Sequence, residues 1–392
     1  MTIKTLWEQI QKSSTKTPTR LKIPNTRSDR RHTTPTQPFQ PNQQYFQIRI
    51  NELYLSTSRK WFSEYDPLVF AATEFIYDKK AETVPFVVGP SLIEKNGQKA
   101  PTGGSTIFSN TRVAGLHPYR GGRLTLSIVL YRVKRKDHAQ ALLKLIESVS
   151  SAIDFSTALR SYTKVAGVLL TGIETLFGLG DTEPVIAIRK EFDPNAGDNL
   201  EPSYFVLIDK PESELKTEQL WVRDNQLVYG ANLTDAKPFR EADFVLYSIV
   251  QTSDRDDITT LPFYPLFERA KEAALQGDDE SWKRAKANLL SLHQTLALSP
   301  DLTPTQAKQL FANFLEETRD AYRTANELSF LGDAVGSFLG SFLGGAVGSF
   351  LVNEGNELSF LGADELDLGS FDDEASIQDS LNKAIQILDL KF

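Results

Sequence analysis

From Tyr45 onward, apolar and polar residues change places with a period of two. Phe46, Ile48 and Ile50 alternate with Gln47, Arg49 and Asn51, which predicts a strand with one buried face. Further strand-like runs follow at Leu68 to Tyr77, Val84 to Val88, Thr106 to Phe108 and Arg123 to Lys134. The last is the clearest, with Leu124, Leu126, Ile128 and Leu130 alternating against Thr125 and Ser127. Gly89-Pro90, Pro101 to Gly104 and Gly121-Gly122 separate the runs. Short strands at this spacing predict an antiparallel sandwich or barrel.

The period then changes. Asp137 to Phe177 reads as helix, with Ala141, Leu142, Leu145, Ile146 and Val149 on one face. Val165 to Leu179 is strongly apolar but carries Glu174, and its length suits a buried core helix better than a membrane span. Strands return at Pro184 to Arg189, Tyr204 to Asp209, Leu220 to Tyr229 and Ala242 to Thr252, with a hairpin turn at Asp224-Asn225. From Pro262 the pattern is helical again. Candidate helices cover Phe267 to Leu275, Glu280 to Leu298 and Thr303 to Asn326, with Thr303-Pro304 as a helix start.

The expected class is therefore α+β. An antiparallel β-sandwich-like domain over residues 45–260 carries a helical insertion at 137–180, and a helical bundle or cap follows at 261–326. Before it, residues 15–44 are rich in Thr, Pro, Arg and Gln and predict a disordered linker. Residues 1–44 as a whole read as a basic tail. At its start, Ile3, Leu6, Trp7 and Ile10 share one face of a short helix.

The most distinctive pattern lies beyond residue 326. Gly332, Gly336, Gly340, Gly344 and Gly348 recur every four residues, and Ser337, Ser341, Gly345 and Ser349 form a second small row. Phe338, Phe342 and Phe350 lie in one bulky row, and Leu339, Leu343 and Leu351 in the other. On a helix, positions four apart stack, so this is a small-residue ridge backed by aromatic and aliphatic groups. Five glycines cost a water-exposed helix about 5 kcal/mol. The ladder therefore makes sense where backbones approach closely, or in lipid. Ala334 to Asn353 carries no charge, and its length at about 1.5 Å per residue matches a hydrocarbon core of about 30 Å. Asp333 and Glu354 at its edges are the wrong flanks for a positive-inside anchor. They favour conditional insertion or close protein packing. The heptapeptide NELSFLG brackets the ladder, at Asn326 to Gly332 and again at Asn356 to Gly362, and suggests a hairpin with two equivalent entries across 327–362. Residues 363–392 form an acidic tail. Its last helix shows Ile377, Leu381, Ile385, Leu388 and Phe392 on one face, for docking on the body or on a partner protein.

Composition narrows the chemistry. There is no cysteine, which excludes disulfides, thiolate metal sites and cysteine nucleophiles. The net charge of −8 hides a gradient, because residues 1–44 carry eight Lys/Arg and residues 353–392 ten Asp/Glu. No apolar leader opens the chain, so the expected location is cytoplasmic, with conditional or peripheral membrane association. His32, His117, His138 and His293 show no metal-ligand spacing. Neither a nucleophile elbow nor a phosphate loop appears, so no catalytic residue, metal or cofactor is expected. Asp193, Asn195, Asp198 and Glu201, and separately Asp254, Asp256 and Asp257, are acidic loops. The first fails the calcium-loop spacing, and both read better as solvated turns. His117, Arg120 and Arg123, with Arg132, Lys134 and Arg135, make the best basic patch for an anion or lipid head group. Nothing points to nucleic acid.

The functional expectation is a non-enzymatic protein that meets a membrane or a second copy of itself through residues 332–352. The alternative is a soluble scaffold component of a larger bacterial assembly, with the apolar segment buried internally. A hydrolase whose site forms only in the fold is the minor alternative.

Overall fold

A computed structural model describes residues 5–8, 10, 18–29, 37–57, 59–60, 63–90, 105–151 and 160–343. The strands are β1 (Thr19–Ile23), β2 (Tyr45–Leu55), β3 (Arg59–Lys60), β4 (Ser63–Tyr77), β5 (Lys80–Val88), β6 (Ser105–Pro118) and β7 (Leu124–Lys134). Two helices follow, α1 (Asp137–Ser151) and α2 (Arg160–Gly178). The chain returns to strands at β8 (Thr182–Phe192), β9 (Ser203–Ile208), β10 (Leu220–Arg223), β11 (Gln226–Tyr229), β12 (Lys237–Pro238) and β13 (Phe244–Thr252). It ends, within the described residues, in α3 (Tyr264–Ala274), α4 (Asp279–Leu298) and α5 (Pro304–Leu343).

The class is α+β, as the periodicities predict. One antiparallel sheet has the order β1-β9-β13-β2-β6, and a second has β5-β4-β7-β8 with β3 paired to the start of β4. Their inner faces share one core. Phe46 and Ile48 of β2, Leu207 of β9 and Tyr247 of β13 lie in the same buried cluster as Phe75 of β4 and Leu126 of β7. The Phe46 and Phe75 rings meet edge to face at 5.2 Å across the two sheets.

The first sheet is buried on both faces, which explains why β9 and β13 read as continuous apolar runs rather than clean alternations. Phe205, Leu207 and Tyr247 point into the sandwich core. Their neighbours Tyr204, Val206, Phe244 and Leu246 point into a second core with Val222, Leu227 and Phe239. The small sheet β10-β11-β12 closes that second core. Its hairpin turns at Asp224-Asn225 with φ 52° and 62°, the left-handed pair a two-residue turn requires.

The predicted helical insertion is two helices rather than one. Leu142, Ile146, Leu169 and Ile173 are buried in the sandwich cluster, and Tyr131 of β7 meets Phe177 of α2 edge to face at 5.2 Å. The helices close together at Gly172, where an added Cβ would lie 2.9 Å from Ile146.

The expectation of a disordered stretch before Tyr45 is corrected over Thr19–Ile23. These residues form β1 and pair with β9 from Thr19↔Ile208 to Ile23↔Tyr204. The five-residue alternation is real, but Pro and Thr on both sides hide it. Phe39 is also buried, and so are Leu6, Trp7 and Ile10 of the predicted N-terminal helix, in the sandwich core. Thr5 to Glu8 and Ile10 are helical.

Contacts divide the chain into two units. The first holds the described residues up to Leu261 together with Pro300–Thr305, and the second holds Pro262–Ser299 and the described residues from Gln306 on. Within the second, Phe267 of α3 stacks on Phe314 of α5 at 4.1 Å, and Trp282 of α4 on Tyr322 of α5 at 4.6 Å. Asp278 caps α4 by accepting from the Ser281 N–H at 2.8 Å.

Candidate functional site

A polar cluster of the first unit surrounds Pro300–Thr305. Tyr45 opens β2, Tyr77 closes β4, and the end of β6 carries His117 into Tyr119 and Arg120. All three strands deliver their ends to one place. The Thr303 N–H donates to the Tyr45 hydroxyl at 2.7 Å, and the Tyr77 hydroxyl donates to Asp301 Oδ1 at 2.8 Å. Arg120 donates to the Leu302 and Pro300 carbonyls at 2.8 and 3.3 Å, and to Asn42 Oδ1 at 3.0 Å. Arg255, which follows β13, grips Asp257 through two donors at 2.6 and 3.0 Å and donates to the Asp301 carbonyl at 3.2 Å.

The electrostatics follow from burial. Arg255 is 3% exposed. Burial opposes its charge, but Asp257 and Asp301 more than offset that, and its pKa is raised. Burial lowers that of Arg120. His117 is stacked on Phe75 at 4.7 Å and set edge-on to Phe46 at 5.8 Å. Burial first, then the positive charges of Arg255 and Arg112, pull its pKa down to about 3. His117 is therefore neutral across the physiological range and is no proton shuttle there. Its Nε2 has no hydrogen-bond partner among the described residues. The cluster acts as a clasp on the backbone of Pro300–Thr305.

The predicted basic patch is only partly brought together. Arg120 belongs to the clasp, and His117 is buried against Phe75 and Phe46. Arg123 sits on the surface, paired with Glu191 at 3.0 Å and Asp193 at 3.3 Å. Arg132 packs against Asp243, whose other oxygen accepts from the Ser56 N–H and hydroxyl at 2.6 Å each. Lys134 lies 3.8 Å from Asp181. Arg135 donates to Asp66 and Glu64, both at 2.8 Å. Each cation has a carboxylate or carbonyl partner within the fold, so these residues do not form one open anion cradle.

The acidic loop over Asp193 to Glu201 is paired in the same way, and in the second loop Asp257 pairs with Arg255. Asp193 caps a short 3-10 turn through the Asn195 N–H at 3.0 Å. Asp198 bonds Lys190, and Glu201 bonds Lys22. Among the described residues, no group of three His, Asp or Glu side chains converges on a metal-sized site.

Sequence reasoning passed over Arg255, Asp301, Tyr45 and Tyr77 as a group, because the contacts that join them are remote in sequence: Tyr45 and its partner Thr303 are 258 residues apart. A signal existed at Arg255, a single cation among Asp254, Asp256 and Asp257. It also passed over Glu52, a β2 carboxylate with no exposure. Glu52 accepts from the Leu227 N–H at 2.7 Å and lies 2.9 Å from Arg240. Burial, against the pull of Leu227 and Arg240, raises its pKa to about 7.

Of the predicted association residues, Gly332, Phe338, Gly336, Gly340 and Phe342 lie within α5, which stays helical to Leu343. Gly344, Gly348 and Phe350 lie outside the described residues, as do the second NELSFLG copy, the predicted hairpin and the acidic tail with its terminal helix. No helix among the described residues is long and apolar enough to cross a membrane. The chain matches no family model, no curated protein and no solved structure.

Proposed function

We propose that this is a non-enzymatic protein that associates with itself through the glycine ladder of residues 332–352, and that membrane insertion is a conditional form of the same contact. One observation carries the reading. α5 runs from Pro304 to Leu343 without a break, through Gly332, Gly336 and Gly340. Three glycines within a helix cost about 3 kcal/mol. Close backbone approach to a second helix offsets that cost, and a smooth row at four-residue spacing is what permits the approach. Asp333 inside the helix disfavours a permanent span.

Sedimentation of the full chain, with Gly336→Leu and Gly340→Leu alongside, tests the proposal. Oligomers that dissociate at least tenfold more readily in the leucine variants support it. A full chain that stays monomeric at all concentrations, and that does not float with anionic vesicles, overturns it.

A further inference from the structure

β6 is the outer strand of the first sheet, paired only with β2 among the described residues. Its register sets Arg112 directly opposite Arg49 of β2. Residues opposed in this way share one face of the sheet, with Cβ atoms about 5 Å apart. The face is the outer one, because Ile48 and Ile50 on either side of Arg49 are buried in the sandwich core. Both arginines are half-buried. Like charges set opposite each other weaken a strand pair, and an anion between them turns that repulsion into attraction.

The two arginines are held differently. Arg49 is fixed by neutral acceptors, since Nε donates to Gln47 Oε1 at 3.2 Å and Nη1 donates to the Asn110 carbonyl at 3.0 Å. Asn51 Nδ2 donates to Asn110 Oδ1 at 3.1 Å, so Asn110 ties two β2 side chains to the irregular stretch of β6. Ser248 of β13 is the register partner of Arg49 on its other side. Farther along β2, the Glu52 carboxylate is committed to the Leu227 N–H and to Arg240. The Arg112 guanidinium, by contrast, makes no hydrogen bond or ion pair among the described residues. In this it differs from Arg123, Arg132 and Arg135, each of which meets a carboxylate.

The charge count selects the ligand. Two adjacent guanidinium groups carry two positive charges and a fan of N–H donors suited to oxyanions. One carboxylate neutralises half of that. A phosphate group on a monoester carries about −1.5 to −2 near pH 7 and three acceptor oxygens, enough for forked bonds from both arginines. We propose that Arg49 and Arg112 form a phosphate-binding site on the outer face of the first sheet, with Arg49 pre-positioned and Arg112 closing on the ligand. The site is separate from the glycine ladder.

Calorimetric titration of the full chain with inorganic phosphate, at an ionic strength held constant with chloride, tests the site. Saturable binding that weakens at least tenfold in Arg112→Gln supports the proposal. Absence of saturable binding, or equal affinity in the two proteins, overturns it. Thermal denaturation adds a readout that a merely structural arginine would not give. In phosphate-free buffer Arg112→Gln should melt no lower than the native chain, because the substitution relieves repulsion, and added phosphate should raise the midpoint of the native chain alone. A variant that melts lower and responds to phosphate as the native chain does overturns the proposal. Arg112→Lys keeps the charge but loses the fork, and should bind with intermediate affinity; full loss of binding in Arg49→Gln confirms the pair. Flotation with phosphatidic acid vesicles, in a Gly336→Leu/Gly340→Leu background, then distinguishes the sources of the phosphate. Flotation that Arg112→Gln abolishes and free phosphate competes away assigns it to a lipid head group, and phosphate binding without such flotation assigns it to a soluble ligand.

Discussion

Asp243 holds the two sheets together by charge. It precedes β13 in one sheet and pairs with Arg132 of β7 in the other, at 3% and 11% side-chain exposure. Removing one partner of a buried pair strands the other charge. Asp243→Ala should therefore cost about 3–5 kcal/mol in chemical denaturation, while a substitution at the exposed Arg123 should change little. Glu52 predicts a pH dependence. Its pKa is raised from 4.5 to about 7 in the fold, so the folded chain keeps its proton where the unfolded chain loses it. Stability from this group is fully present below pH 4.5 and is lost as pH rises to about 7, a drop on the order of 3 kcal/mol. Glu52→Gln should flatten that slope, and unchanged slopes in the two proteins would exclude Glu52 as its source. Gly115 has φ 96°, and a Cβ there would lie 2.3 Å from the Phe46 carbonyl oxygen. Gly115→Ala should cost more than about 2 kcal/mol, because both backbone conformation and space are wrong. None of these three roles was legible in the sequence. Each depends on a neighbour that only strand pairing or sheet packing supplies.

At the scale of elements, legibility followed periodicity. Arg123 to Lys134 and the Asp224-Asn225 hairpin were visible because their alternation and turn chemistry are local. β6 is a strand of 14 residues of which only Thr106 to Phe108 was legible. Serine, asparagine, threonine and glycine interrupt its apolar pattern, and its register against β2 shifts repeatedly. β1 was hidden by its flanks. α1 and α2 merged because both are apolar at helical spacing. Their packing gives a paired prediction with opposite signs. Gly172→Leu should cost about 1–3 kcal/mol by forcing Ile146 aside. Gly167, also in α2, has nothing within 4 Å of an added Cβ. Gly167→Ala should stabilise by up to about 1 kcal/mol through helix propensity. Thermal denaturation of the two variants beside the native protein measures both.

For the whole molecule, the sequence revealed the α+β class and the order of strand-rich and helical regions, since both rest on summed local pattern. It did not reveal that the β-rich unit is discontinuous. Pro300 and Asp301 read as the break between two helices with Thr303-Pro304 as the next helix start, and α5 does begin at Pro304, yet the contacts of Pro300–Thr305 belong with Tyr45, Tyr77, Arg120 and Arg255. The consequence concerns synthesis. A chain leaving the ribosome exposes every described strand by residue 252, and Asp257 soon pairs with Arg255, but the Asp301 groups that bond Arg255 and Tyr77 and the Thr303 N–H that bonds Tyr45 emerge only after α3 and α4. The β-rich unit thus waits on the whole of those two helices for its last buried partners. A nascent chain ending at residue 261 should accordingly be cut by protease far faster than one that extends past Thr305.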